Sequence, residues 1–180
     1  MISSTAVPFE MSTSTTAPIL IDEVRGYLNR SISDVFDTML GLEAKPAAYC
    51  DLHASGQTIV SGSIRFDGDV TGVFHIHVPA AFARTLASRM LDLPEVELEG
   101  DEMVNDVIGE LSNMIVATVK SHLCDAGASC ALSVPKVAHT NSSRIERRGH
   151  VDRRFLTFRC GADQILVEFL MQTSLLSWLR

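Results

Sequence analysis

Between Asp101 and Lys120 apolar residues recur at Val104, Val107, Ile108, Leu111, Ile115 and Val119, the 3- and 4-residue spacing of a helix with one face in a core. The pattern predicts an amphipathic helix over 101–120. Its opposite face has an unusual composition. At about 100° per residue, Asp106, Gly109, Glu110 and Asn113 fall within one sector. Glu110 and Asn113 stand one turn apart, so a carboxylate and an amide project side by side into solvent.

A second stripe, Ile21, Val24, Leu28, Val35 and Met39, predicts a helix from residue 19 to Gly41, where glycine suits the C-terminal cap and Pro46 follows just beyond. Phe82, Leu86, Met90 and Leu91 mark another helix, entered at Pro79, where proline is tolerated, and ended before Pro94. Runs rich in β-branched residues and bounded by turn residues predict strands over 47–54, 57–66, 70–78 and 128–137. A hairpin of 153–160 and 164–171 turns around Gly161-Ala162-Asp163. The first three strands read as an antiparallel meander. Three helices and six strands in this order predict an α+β fold, a largely antiparallel sheet of about six strands packed with three helices, in preference to βαβ units.

Residues 1–18 are rich in Ser and Thr and have no sustained period, which predicts a flexible tail ahead of a domain over 19–180. With 180 residues and 46% hydrophobic content the chain has ample material for a core. A net charge of -7 argues against nucleic acid or a membrane surface as partner, since both call for an excess of Lys and Arg. The first residues lack a basic start and an apolar run, and no stretch approaches the roughly 20 apolar residues of a bilayer span. A cytoplasmic chain with a protein or small-molecule partner is the expectation.

No Walker loop, GxGxxG, GxSxG or HExxH is present. Cys50, Cys124, Cys130 and Cys160 form no CxxC pair and read as buried free thiols. His75 and His77 share one face of a strand, but spacing suggests no third ligand, so a metal is not expected. Six acidic residues between Asp92 and Glu102 precede the 101–120 helix, where they complement its dipole. Arg144, Arg147, Arg148, Arg153 and Arg154 crowd into eleven residues. Such a loop suits a phosphate or an acidic partner, and Arg147 and Arg148 are its candidate contacts.

The polar face of the 101–120 helix carries a longer pattern. Asp106-x3-Glu110-x2-Asn113, with Pro135 after a further twenty-one residues in Ser133-Val134-Pro135-Lys136-Val137, resembles the CheC/CheX/FliY family of chemotaxis phosphatases. The likeness extends to the end of the first helix, Val35-Phe36-Asp37-Thr38-Met39-Leu40-Gly41, and to the order of elements from Ile19 onward. Members with two sites carry a second Glu-Asn pair on the first helix; here Asp37-Thr38-Met39-Leu40 occupies that place. A single pair is most similar to CheX.

The resemblance implies removal of the phosphoryl group from the aspartate of a CheY-like receiver domain. Glu110 would pair with the receiver's lysine and Asn113 would hold the attacking water, with Asp106 and Pro135 as framework and Gly109 leaving room for the partner. It also implies a homodimer, no cofactor of the chain's own, and Mg²⁺ supplied by the receiver. The residue types suit this chemistry. An aspartyl phosphate is already reactive, so placement of water in line limits its hydrolysis more than nucleophile strength does. An amide can align water through its acceptor and donor without taking up a proton.

Overall fold

The structure, a computed structural model, describes residues 21–50, 52, 56–140 and 152–173. The expected tail and Arg144, Arg147 and Arg148 lie outside the described residues. Helix α1 (Ile21–Leu40) buries Val24, Leu28, Ile32, Phe36 and Leu40. It closes at Gly41, whose φ of +59° is costly for residues with a Cβ. Strands follow as β1 (Ala44–Ala47), β2 (Ile59–Gly68) and β3 (Val70–Pro79), then helices α2 (Ala80–Leu91) and α3 (Glu102–Asp125). The chain ends with β4 (Cys130–Leu132), β5 (Lys136–Thr140), β6 (Asp152–Cys160) and β7 (Asp163–Thr173).

The seven strands form one sheet in the order β1-β6-β7-β3-β2, with β4 and β5 both on the outer edge of β2. Every pairing is antiparallel. The α+β class, the three helices and the antiparallel sheet agree with the pattern in the sequence, but two details differ.

The expected meander is only the β2–β3 hairpin, because β1 pairs with β6 across the sheet, from Ala44 opposite Cys160 to Ala47 opposite Thr157. Pro46 has no N–H to give a second neighbour, which confines β1 to an edge. The chain after it folds over the sheet: Cys50 N–H donates to Thr157 Oγ1 at 3.3 Å and Leu52 is buried against Ile59 and Leu166.

The strand expected over 128–137 is two strands. Leu132 stands opposite Phe66 and Lys136 opposite Ser63, so Ser133, Val134 and Pro135 face only Ile64 and Arg65. This is a bulge of one extra residue. Proline, lacking an N–H, cannot continue the ladder there.

All three helices cover one face of the sheet. Their apolar stripes meet Ile64, Phe66, Phe74, Ile76, Val78, Phe158, Val167 and Phe169 in a single core. α3 seats tightly on β2 at Gly62, where a Cβ would collide with Ser112 Oγ and stand 3.2 Å from the Ile108 carbonyl. Ser31 Oγ of α1 donates to the Ile115 carbonyl of α3 at 2.9 Å, joining the two helices across the core. Among the described residues no helix is long and apolar enough to cross a membrane.

Candidate active site

α3 gives the candidate residues a rigid mount. Val104, Val107, Ile108, Leu111, Ile115, Val116, Val119 and Leu123 are buried, so the rotation of the helix is fixed by one continuous apolar stripe. That rotation turns Asp106 and Glu110 outward as exposed residues and leaves Asn113 half-buried. Among the described residues none engages the side chains of these three in a hydrogen bond or ion pair. A carboxylate and an amide one turn apart, neither engaged among the described residues, are open to an external partner.

Gly109 does not share that openness. It is buried, and a Cβ built on it would meet Pro135 Cβ at 3.5 Å and Val137 Cγ2 at 3.7 Å. The chain's own bulge covers the position that the sequence assigned to an approaching partner. The four polar positions therefore divide: Asp106, Glu110 and Asn113 line the surface, and Gly109 is the floor beneath Pro135.

The bulge is fixed at both ends. Ser133 N–H donates to the Arg65 carbonyl at 2.9 Å, and Arg65 N–H donates to Ser133 Oγ at 3.0 Å. Farther along, His139 Nε2 donates to Asn105 Oδ1 at 2.7 Å, tying β5 to the start of α3. Pro135 is thus held against the helix by its neighbours on either side.

The acidic run ahead of α3 has a second support that its composition does not reveal. The Arg84 guanidinium donates to the Glu95 and Leu98 carbonyls at 3.0 Å each and to the Gly100 carbonyl at 3.4 Å. Thr85 Oγ1 donates to Glu95 Oε1 at 2.7 Å. Asp101 precedes α3 but makes no side-chain cap hydrogen bond, so its contribution is its charge near the dipole.

Of the basic run, Arg153 and Arg154 lie among the described residues. Arg153 lies in β6, forms an ion pair with Glu168 and sits 4.7 Å above the Phe155 ring. Arg154 Nε approaches Asp22 Oδ1 at 3.7 Å. Both are used within the fold.

His75 and His77 share the sheet face turned away from the helices, with ring centroids 5.8 Å apart. His77 Nδ1 is hydrogen-bonded to Ser61 Oγ at 2.8 Å, and its Nε2 lies 3.6 Å from Glu168 Oε2. Glu168 is 4% exposed. Burial opposes its charge, but the neighbouring His77 imidazole and the Arg153 guanidinium outweigh that, and the carboxyl titrates below its ordinary range. Burial holds the His75 ring below its ordinary value of 6.5, and the nearby Glu168 carboxylate offsets this only in part. Among the described residues no three His, Cys, Asp or Glu gather as metal ligands.

The cysteines depart from the expected burial at two positions. Cys130 and Cys160 are buried, Cys50 is half-buried and Cys124 is exposed. Burial pushes the Cys160 thiol up to about 12, which makes it a poor nucleophile.

With this geometry in hand, a family model described as chemotaxis phosphatase CheX matches residues 60–159, more than half of the chain and all of α3 and the bulge. The chain belongs to the CheX family. Solved structures agree on the fold. The chemotaxis protein CheX from Vibrio vulnificus is 23% identical with a TM-score of 0.71, covering 83% of this chain and 97% of its own. A CheC-like superfamily protein from Shewanella sp. PV-4 is 24% identical with a TM-score of 0.71, over 86% of this chain and 99% of its own. A third, from Borrelia burgdorferi, was solved as a complex of CheX, CheY, BeF3 and Mg²⁺; it is 20% identical with a TM-score of 0.68, over 83% of this chain and 97% of its own. A comparison with curated proteins finds no match.

Proposed function

We propose that this CheX-family chain hydrolyses the phospho-aspartate of a CheY-like receiver domain. The observation that carries the reading is the pair of unengaged side chains, Glu110 and Asn113, one turn apart on the outer face of a rigid helix. The complex of the Borrelia burgdorferi relative with CheY points to the same class of partner.

Glu110 docks against the receiver's active-site lysine and sets the register of the two proteins, a role in which complementary charge gives specificity more than affinity. Asn113 enters the phosphorylation pocket and holds a water in line with the acyl-phosphate bond. The water oxygen forms a new bond to phosphorus as the bond to the aspartyl oxygen breaks. The products are a free aspartate carboxylate and inorganic phosphate, which retains the protons of the water. The receiver brings the phosphoryl group and its Mg²⁺, and this chain contributes orientation. Orientation is sensitive to displacements of about 1 Å, which is why a helix locked on β2 suits the task better than a loop.

The test is the lifetime of phosphorylated CheY-like receivers with and without this protein. The proposal expects a shorter lifetime with wild type and a large loss of the effect with Glu110→Ala or Asn113→Ala. Binding without any change of lifetime would instead make the chain a non-catalytic module. A homodimer is part of the same proposal, and light scattering reads its mass directly.

A further inference from the structure

Val134 is 75% exposed, although it sits in one of the most tightly anchored turns of the molecule. Its predecessor, Ser133, is hydrogen-bonded through both backbone and side chain to Arg65 of β2. Ser133 Oγ also donates to the Val134 carbonyl at 3.0 Å. Its successor, Pro135, rests over Gly109 of α3. Between these anchors the extra residue of the bulge turns a branched apolar side chain into water, where nothing in the fold gains from it. Bulges are a means of re-aiming one side chain while the ladder continues on both sides.

The direction of the chain places Val134 relative to the site. Pro135 and Val137 lie over Gly109, and His139 is bonded to Asn105. β5 therefore runs along α3 from Gly109 back toward the helix N-terminus. Upstream, Leu132 lines a small cavity with Val116, Val119 and Lys120 of α3, so the chain between Leu132 and Pro135 passes the turn of the helix that carries Asn113. Other exposed apolar residues stand elsewhere: Met39 and Leu91 at the ends of α1 and α2, Val96 in the turn tied down by Arg84, and Tyr49 beside Phe155.

We propose that Val134 is the apolar anchor of the receiver-docking surface, packing against the phosphorylated receiver next to the pocket that Asn113 enters. The inference rests on the proposed function and extends it. Glu110 supplies a charge and Asn113 an amide, neither of which gains much from leaving water, whereas burial of a valine-sized side chain shifts affinity by about tenfold or more. Interfaces concentrate their affinity in such central apolar residues ringed by polar ones.

The experiment compares wild type, Val134→Asp, Val134→Thr, Val134→Ile and Asn113→Ala. Each is measured for KM and kcat against a phosphorylated CheY-like receiver, and for Kd against the same receiver loaded with beryllofluoride and Mg²⁺. Melting midpoints report folding, and light scattering reports mass. The expected result is a rise of about tenfold or more in KM and Kd for Val134→Asp, with kcat within about twofold of wild type. A smaller rise is expected for the isosteric Val134→Thr, and near wild-type affinity for Val134→Ile. Unchanged KM and Kd in Val134→Asp, with Asn113→Ala still inactive, would overturn the anchor and leave the phosphatase reading standing. A drop in solution mass with unchanged Kd would assign Val134 to a contact between copies and overturn it as well. If wild type neither binds nor dephosphorylates any receiver, the phosphatase reading fails and the anchor fails with it.

Discussion

Pro135 lies over Gly109 with room for one methyl group between them: a Cβ on the glycine would stand 3.5 Å from Pro135 Cβ, ordinary van der Waals contact. The glycine is therefore not required for the closeness of bulge and helix. Glycine within a helix costs about 1 kcal/mol relative to alanine, so Gly109→Ala is expected to raise stability by about 0.5–1 kcal/mol in urea unfolding. Phosphatase activity should stay close to wild type, since Pro135 already covers the position. Higher stability with activity abolished would mean that the partner reaches Gly109 itself.

Gly62 is the opposite case. Its Cβ would strike Ser112 Oγ and crowd the Ile108 backbone, and backbone cannot swing aside as a flexible side chain does. Gly62→Ala is expected to destabilise the protein by about 1–3 kcal/mol through overpacking. Because the shift lifts α3 from β2, kcat should fall although residue 62 lies on the far side of the helix from Asn113. Wild-type stability in this variant would show that the seat of α3 is looser than described.

The Arg153–Glu168–His75–His77 cluster sets the response to acid. His75 titrates below 6.5 in the folded chain, so the unfolded chain binds more protons just below that pH and stability falls as pH drops through it. Glu168, held below its ordinary 4.5, adds a second loss at lower pH as its carboxylate is protonated. His75→Gln is expected to flatten the upper part of the stability–pH curve and Glu168→Gln the lower part. Glu168→Gln should also cost about 2 kcal/mol at pH 7, less than fully buried pairs lose, because 20% of the Arg153 side chain remains in solvent. Melting curves from about pH 8 down to about pH 3, which spans the His75 response and reaches below the ordinary carboxylate range, check both variants. A wild-type curve flat across that range would contradict the assignment.

Much of this was legible in the sequence because local pattern and tertiary environment agree. The α3 stripe reads directly from the 3- and 4-residue spacing, and the same rotation that buries Val107, Ile108 and Leu111 turns Asp106 and Glu110 outward. What local pattern does not carry is pairing across the chain. Nothing near Pro46 says that β1 belongs beside β6, and Gly109 lies in the polar sector of a helical wheel that takes no account of a bulge twenty-six residues later. The exposure of Val134 is hidden from local pattern for the same reason. Inside a run of strand-like residues a valine reads as core, and only the register of β4 and β5 against β2 shows that it is the extra residue.

The most direct test of the central claim is the single-turnover decay of a phosphorylated CheY-like receiver at saturating concentrations of wild type and Asn113→Ala, alongside Kd for the beryllofluoride-loaded receiver. If Asn113 orients the water, decay should slow by about 10²-fold or more while Kd stays within about threefold. Equal decay rates with the two proteins would contradict the account, and place the chemistry somewhere other than the outer face of α3.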